Sequence, residues 1–216
     1  MQPLNSLAAL PEIVLLVATC ALLVADLFVP DTRRNITYVA SLGILTVVGT
    51  LNWLFLSAGV VTYAFGGMYV TDPMASLLKL VAVVAVALVL VYSQSYARDR
   101  GVWKGELFTL SLFALLGIML MISANNLLVI YLGLELQALS LYALVALRRD
   151  HAVSSEAAMK YFVLGALASG FLLYVMSKIT DDLSKAELMH PIVAAWLPVC
   201  VGGLTGFVAL LYQEDG

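Results

Sequence analysis

The chain has 216 residues, of which 62% are apolar and 12% are charged, and its mean hydropathy is +1.00. Ordinary soluble domains carry roughly 25% charged residues, so this composition excludes a soluble enzyme and an intrinsically disordered chain. The net charge of −3 offers no basic surface for DNA or RNA, which excludes a nucleic-acid-binding protein.

Seven apolar segments approach the length of about 20 residues that a membrane-spanning helix needs. They lie, in chain order, at residues 11–29, 36–57, 74–96, 107–122, 126–147, 157–177 and 191–212. None has a wide polar face, which favours helices surrounded by lipid and by other helices. The sequence therefore predicts an all-α fold, a polytopic transmembrane helix bundle of about seven spans.

Two of the connecting segments are distinctive. The 60–72 segment contains aromatic residues and a glycine pair, and we expect it to form a loop against the outer membrane face. Pro73 follows it at the first turn of the third span, a position that tolerates proline. The 178–190 segment is the most polar of the chain, which predicts a short interfacial helix before the last span.

The distribution of lysine and arginine predicts the orientation. The loops after the first, third and fifth spans carry seven of these residues, whereas the loops after the second, fourth and sixth carry two. Cytoplasmic loops are the ones enriched in Lys and Arg. The N-terminus is therefore expected outside and the C-terminus in the cytoplasm.

Glu135 carries the strongest functional signal, because an ionisable side chain inside a membrane span marks a functional site by default. It lies nine residues into the fifth predicted span, about 14 Å along a helix and so near the bilayer centre. Burial disfavours the charged form of a carboxyl and a nearby cation favours it, so such a group can take and release a proton near neutral pH. We interpret Glu135 as a proton carrier; the alternative is a protonated glutamate that hydrogen-bonds neighbouring helices.

Other charged residues in or beside the spans are weaker candidates. Lys160 lies one turn into the sixth span, and Glu156, four residues earlier, pairs with it. A proton-carrying role and snorkelling of Lys160 to the interface are equally favoured interpretations. Lys79 lies in the third span, and snorkelling is the favoured interpretation there. Glu12 and Asp26, near the two ends of the first span, are expected to be interfacial.

No metal or redox site is expected. Cys20 and Cys200 lie in apolar runs, which offers neither a disulfide framework nor a CxxC motif. We expect His151 to be solvated and His190 to mark a helix start, so the usual spacing of metal ligands is missing. The sequence also lacks a glycine-rich phosphate-binding loop.

Two motifs resemble a known family. LGLELQALSLYALVAL and the following SSEAAMKYFVLGALASGFLLY are similar to the N-terminal half of subunit N of proton-pumping NADH:quinone oxidoreductase (complex I), an antiporter-like family. The resemblance covers residues 1–175, including LPEIVLLVATCALLVADLF. It implies proton translocation through buried Glu and Lys residues, with Glu135 matching the buried glutamate of the fifth span. Glu156 and Lys160 match the charged start of the sixth span, and Lys79 is a weaker candidate.

The resemblance also implies the surroundings of the chain. The protein would be a multi-pass protein of the bacterial inner membrane, in contact with the lipid bilayer and with other membrane-arm subunits. It would hold no cofactor, since NADH, FMN, iron–sulfur clusters and quinone belong to the wider complex. The later spans of the family are not expected within this sequence, so we expect no proton translocation by this chain alone.

Residues 176–216 do not continue the resemblance to the complex I subunit. They resemble the end of a lipopolysaccharide-export permease of the LptG type, which predicts two domains, a partial proton-channel domain at 1–175 and a polar loop plus a last span at 176–216. This leaves two alternatives open. The chain could be a component of a lipid exporter with an ABC-transporter ATPase as its partner, or an inert chimeric membrane fragment.

Overall fold

The structure is a computed structural model that describes residues 6–30, 34–59, 61–148 and 151–185. A short 3-10 helix, Ser6–Ala9, comes first. The helices that follow are α1 (Leu10–Asp26), α2 (Asn35–Ala58), α3 (Pro73–Tyr92), α4 (Gln94–Asp99), α5 (Gly105–Ile122), α6 (Leu127–Val145) and α7 (Ala152–Lys185). The predicted all-α fold is thus confirmed for most of the described chain.

Five helical segments of the described ranges are long and apolar enough to cross a membrane. They are Leu7–Asp26, Asn35–Ala58, Pro73–Tyr92, Gly105–Ile122 and Leu127–Val145. They coincide with the first five predicted spans. The sixth predicted span lies within α7, which is not among the five, and the seventh, at 191–212, lies outside the described residues. A total of seven spans therefore stays a prediction.

The bundle is built around α5. This helix packs against α1, α2, α3 and α6. Its buried side chains, Phe108, Leu112, Leu115, Leu116 and Met119, form one apolar core with Leu15 and Leu22 of α1, Leu45 and Val48 of α2, and Val83 and Leu90 of α3. Because α5 is apolar on every side, it can pack against several helices at once.

Residues 62–71 form a β-hairpin, so the prediction that this segment is a loop was wrong. Strand β1 (Thr62–Ala64) pairs antiparallel with β2 (Tyr69–Thr71), with Tyr63 opposite Val70. Gly66 and Gly67 both adopt positive φ, at 68° and 88°, which lets the chain reverse direction between the strands. All strand residues except Ala64 are β-branched or aromatic, which suits a short strand pair.

The hairpin forms hydrogen bonds with residues at the ends of several helices. The Thr71 hydroxyl donates to the carbonyl of Ala8, just before α1, at 2.8 Å. The Val70 amide donates to the carbonyl of Ser123, just after α5, at 2.9 Å, and the Asn125 side chain donates to the carbonyl of Gly67 at 2.8 Å. The starts of α1, α3 and α6 and the end of α5 therefore lie on one face of the bundle, here called the hairpin face.

The chain divides into two compact units, Met1–Ala158 and Met159–Gly216. The first contains the hairpin and helices α1 to α6, together with the first residues of α7. In the second, α7 continues to Lys185. The predicted boundary at residue 175 stays a prediction.

Candidate functional site

The most buried charges of the described chain form an ion pair between α1 and α3. Lys79 Nζ lies 2.6 Å from Glu12 Oε1, and the two side chains are 1% and 3% exposed. The expectation that Lys79 snorkels to the interface was therefore wrong, because its ammonium is buried against Glu12. The interfacial position of Glu12 stays a prediction. The ammonium of a fully buried lysine needs a charged or hydrogen-bonding partner, because an isolated charge in an apolar interior is very unfavourable.

Tyr69 completes this cluster from strand β2. Its hydroxyl accepts a hydrogen bond from Lys79 Nζ at 2.9 Å, and Nζ lies 5.1 Å from the centroid of its ring. Burial raises the pKa of the Tyr69 phenol well above its usual value, and the negative charge of Glu12 raises it further, while a hydrogen bond with Ser123 lowers it. The phenol therefore stays neutral and can both donate and accept hydrogen bonds.

Helical periodicity explains why these side chains face inward. Glu12 shares a face of α1 with Leu15, Thr19 and Leu22, all buried. Lys79 likewise shares a face of α3 with Ser76, Val83 and Leu90. Asp72 caps α3, because its carboxylate accepts a hydrogen bond from the Ala75 amide at 2.6 Å. Pro73 occupies the first turn. These two residues fix where the helix starts and therefore the direction in which the Lys79 side chain points.

Glu135 lies at the middle of α6 and is half-buried. The start of this helix is set by Asn126, whose side-chain oxygen accepts from the Leu128 amide at 2.8 Å. The α5-facing side of α6 carries Gly133 and Gln137, which approach Gly117 so closely that a Cβ on Gly117 would lie 2.5 Å from the Gly133 carbonyl. At about 100° per residue, Glu135 lies on the opposite side of α6 from this contact.

The other predicted residues lie on α7. Glu156 and Lys160 occupy successive turns of that helix, and both side chains are exposed in their own units. The structure thus places Glu135 and this charged pair on different helices. Their roles in proton translocation stay predictions, as does that of Lys79.

At the end of α1 away from the hairpin face, Asp26 forms a second ion pair. Its Oδ2 lies 2.6 Å from Arg34 Nη1, and its Oδ1 accepts from the Thr37 hydroxyl at 2.7 Å. Asp26 also packs against Gly105, at the start of α5, with no space for a Cβ. These contacts join α1, α2 and α5 at that end of the bundle.

Metal ligands do not cluster among the residues whose positions are described: no group of three or more His, Cys, Asp or Glu side chains is close enough to hold an ion. Cys20 is a free, exposed thiol and His151 is exposed. Cys200 and His190 lie outside the described residues.

A family described as the transmembrane domain of NADH:quinone oxidoreductase and Mrp antiporters matches residues 124–211. A subunit N of NADH-quinone oxidoreductase from Herminiimonas arsenicoxydans is 52% identical over 225 residues, covering 100% of this chain and 46% of the relative. The same subunit from Laribacter hongkongensis is 54% identical over 187 residues, covering 86% of this chain and 38% of the relative. The chain therefore spans less than half the length of the curated relatives it matches.

Solved structures of respiratory membrane complexes contain chains that are similar to this one. The described fold is similar to a chain of the respiratory complex I from Thermus thermophilus, with a TM-score of 0.62 and 30% identity over 77% of this chain and 35% of that one. A chain of an archaeal membrane-bound sulfane sulfur reductase has a TM-score of 0.64 over 82% of this chain at 24% identity, which shows a shared fold.

The comparisons extend into the region that resembles an export permease. The family match continues to residue 211, and the Herminiimonas relative covers the whole chain. They give the likeness to LptG no support, and the export alternative is not favoured. The chain is similar to complex I subunits on both sides of residue 175.

Proposed function

We propose that this protein is a membrane-arm subunit of a proton-pumping NADH:quinone oxidoreductase and that it takes part in proton translocation. The observation that carries the proposal is a carboxyl group at the middle of α6, in a region similar to the antiporter family. A glutamate at that depth is unfavourable unless it is paired, protonated or hydrated, and such residues mark ion pathways.

Glu135 is the proton carrier in this proposal. It takes a proton from one side of the membrane and releases it to the other. Lys160 is the cation of this proposal, and Glu156, one turn earlier on α7, balances its charge. Coulomb interactions between such groups are strengthened by the low dielectric constant of the membrane interior.

The redox reaction takes place elsewhere in the assembly. The chain would bind no NADH, flavin, iron–sulfur cluster or quinone, and its contribution would be that of a translocase subunit. Its partners would be other membrane-arm subunits and lipid, in the inner membrane of a bacterium. The hairpin face would be the outer face, because the loops at the opposite ends of the helices carry most of the Lys and Arg residues.

Co-purification tests the proposal. The protein, carrying an affinity tag and expressed from its own chromosomal locus, is extracted in a mild detergent and its partners are identified by mass spectrometry. We expect other complex I subunits in a fixed ratio and NADH-dependent quinone reduction in the eluate. Recovery of an ABC-transporter ATPase without complex I subunits would contradict the proposal and favour the exporter.

A further inference from the structure

The ion pair of Glu12 and Lys79 lies outside the set of residues that carry the proposed function. We propose that Glu12 is a second proton-exchanging site, located toward the hairpin face, and that Lys79 is the positioning residue that holds its carboxyl group. In each cycle the Glu12 carboxylate gains one proton from the interior of the bundle, becomes a neutral acid, and releases the proton on the hairpin side, while Lys79 remains an ammonium held by the hydroxyl and ring of Tyr69. This inference deepens the proposed function and rests on it.

Burial gives the first argument. Both side chains are almost completely removed from solvent, and their two charged atoms are 2.6 Å apart. Replacing a buried ion pair with apolar residues of similar volume is often neutral or even stabilising, so the stability of the fold alone does not require these charges. Protonation of Glu12 would leave Lys79 without its counter-charge, which couples the proton to the packing of α1 against α3.

Hydrogen bonding gives the second argument. An ionised carboxylate can accept about four hydrogen bonds, whereas the recorded partners of Glu12 are the Lys79 ammonium and the Tyr69 phenol. The phenol stays neutral and can both donate and accept. A protonated Glu12 gains a donor, so it can exchange donor and acceptor roles with Tyr69 and the neutral acid also has a hydrogen-bond partner.

The position of the pair gives the third argument. Counted from the helix starts on the hairpin face, Glu12 is about 3 Å deep, Lys79 about 9 Å and Glu135 about 12 Å, at 1.5 Å per residue. Because their charged atoms are only 2.6 Å apart, Glu12 and Lys79 form a single ionisable site, which lies nearer that face than the middle of α6, where Glu135 is. Among the described residues, the titratable groups recorded against Glu12 are Lys79 on α3 and Tyr69 on β2.

The experiment must separate proton exchange from structural support. Glu12→Gln alone leaves a buried, unpaired ammonium and is expected to destabilise the fold, whatever its function. The double variant Glu12→Gln/Lys79→Met removes both charges and nearly preserves volume. Each variant is introduced at the chromosomal locus, and NADH-driven proton translocation per electron is measured in membranes with matched complex content.

We expect the double variant to recover the thermal stability of the wild type while its proton-to-electron ratio stays as low as that of Glu135→Gln. Asp26→Asn/Arg34→Gln, which removes the ion pair at the opposite end of the bundle, serves as the matched control and should pump like the wild type. Wild-type pumping by the stable Glu12→Gln/Lys79→Met variant would overturn the inference. If Glu135→Gln also pumps normally, the proposed function fails instead.

Infrared spectroscopy of the purified subunit gives a readout that is independent of pumping. A protonated carboxyl absorbs separately from a carboxylate, and the difference between wild type and the double variant isolates Glu12 from the other acids. We expect a carboxyl band whose intensity changes with pH while the fold stays intact. If the double variant does not assemble, Glu12→Asp decides: an unchanged band and an unchanged proton-to-electron ratio would overturn the inference.

Discussion

At the scale of single residues, Tyr69 shows how the hairpin supports the buried charges. Its hydroxyl accepts from Lys79, and its ring packs edge-on against Phe65 with 6.1 Å between the centroids. Only the neutral phenol fits beside the carboxylate of Glu12, which is why burial and that charge together raise the pKa of Tyr69. The raised pKa links the stability of the fold to pH.

We expect Tyr69→Phe to lower the stability by about 1 kcal/mol at neutral pH, the usual contribution of one hydrogen bond. A tyrosine whose pKa is higher in the folded state stabilises the fold below the unfolded value of about 10, and this contribution is lost as the pH rises above it. The difference in melting temperature between wild type and Tyr69→Phe should therefore shrink above that pH. Tyr63→Phe, at an exposed position of β1, is the control and should show no such trend.

Lys79 gives the largest stability effect expected from a single residue. Lys79→Met removes one partner of a buried pair and leaves Glu12 unpaired, which is expected to lower the free energy of unfolding by about 3–5 kcal/mol. Unfolding of the purified protein in mixed detergent measures it. Lys178→Met, at an exposed position of α7, is the matched control. An equal stability of both variants would contradict the burial of Lys79.

The two kinds of charged residue differ in how far the sequence could predict them. Glu135 stands out because it lies at the centre of an apolar run, which needs no knowledge of the fold. Glu12 and Lys79 are 67 positions apart in the chain, and their pairing depends on the packing of α1 against α3. Lys79 lies close enough to its helix start for snorkelling, but the hairpin and α1 cover it. The sequence feature that could have predicted the burial of Lys79 is its position on the same helix face as Ser76, Val83 and Leu90.

At the scale of secondary-structure elements, the contact between α5 and α6 brings two helix backbones close together. A Cβ on Gly117 would lie 2.5 Å from the Gly133 carbonyl and 2.7 Å from the Gln137 amide nitrogen. Small residues at such crossings allow two backbones to approach each other in a membrane. This contact sets the rotation of α6 and so directs Glu135 away from α5.

Gly117→Ala is expected to destabilise the protein by about 1–3 kcal/mol, because the added methyl group meets backbone atoms that cannot move aside. Gly43→Ala on α2 is the matched control, since a Cβ there meets nothing within 4 Å. It should be neutral or slightly stabilising, given the higher helix propensity of alanine. Thermal unfolding in detergent compares the two. The proposed contact would be contradicted if Gly117→Ala were as stable as Gly43→Ala.

The elements themselves were largely predictable. Long apolar runs locate the first five helices, because a membrane span must be both apolar and long. The hairpin was missed because each strand has only three residues, too few for an alternating pattern to stand out from a loop. Contacts with Ala8, Ser123 and Asn125 stabilise it, and these come from distant parts of the chain.

At the scale of the whole molecule, the orientation in the membrane follows from charge. The hairpin is expected outside and the segment between α4 and α5 in the cytoplasm. In a background with Cys20→Ser and Cys200→Ser, single cysteines are introduced by Tyr63→Cys and Asp99→Cys, both at exposed positions. A membrane-impermeant maleimide added to intact spheroplasts should label the first and not the second. The opposite labelling pattern would contradict the orientation.

The C-terminal region shows a limit of motif resemblance over a short stretch. The 41 residues from 176 to 216 resemble a permease because a polar loop followed by an apolar span is common to many membrane proteins. The family match to residue 211 instead connects this region with the preceding spans. The last predicted span, 191–212, lies outside the described residues and stays a prediction together with its cytoplasmic end.

Proton transport by Glu135 is tested by comparing two substitutions at this position. In the intact complex, Glu135→Gln keeps size and hydrogen bonding but removes the titratable proton, whereas Glu135→Asp keeps the proton on a shorter side chain. The proton-to-electron ratio of NADH-driven pumping is measured in membranes with matched complex content. We expect a severe loss of pumping for Glu135→Gln and a partial loss for Glu135→Asp, with normal assembly of both variants. Wild-type pumping by Glu135→Gln would contradict proton transport by this residue and leave Glu135 as a residue that hydrogen-bonds neighbouring helices.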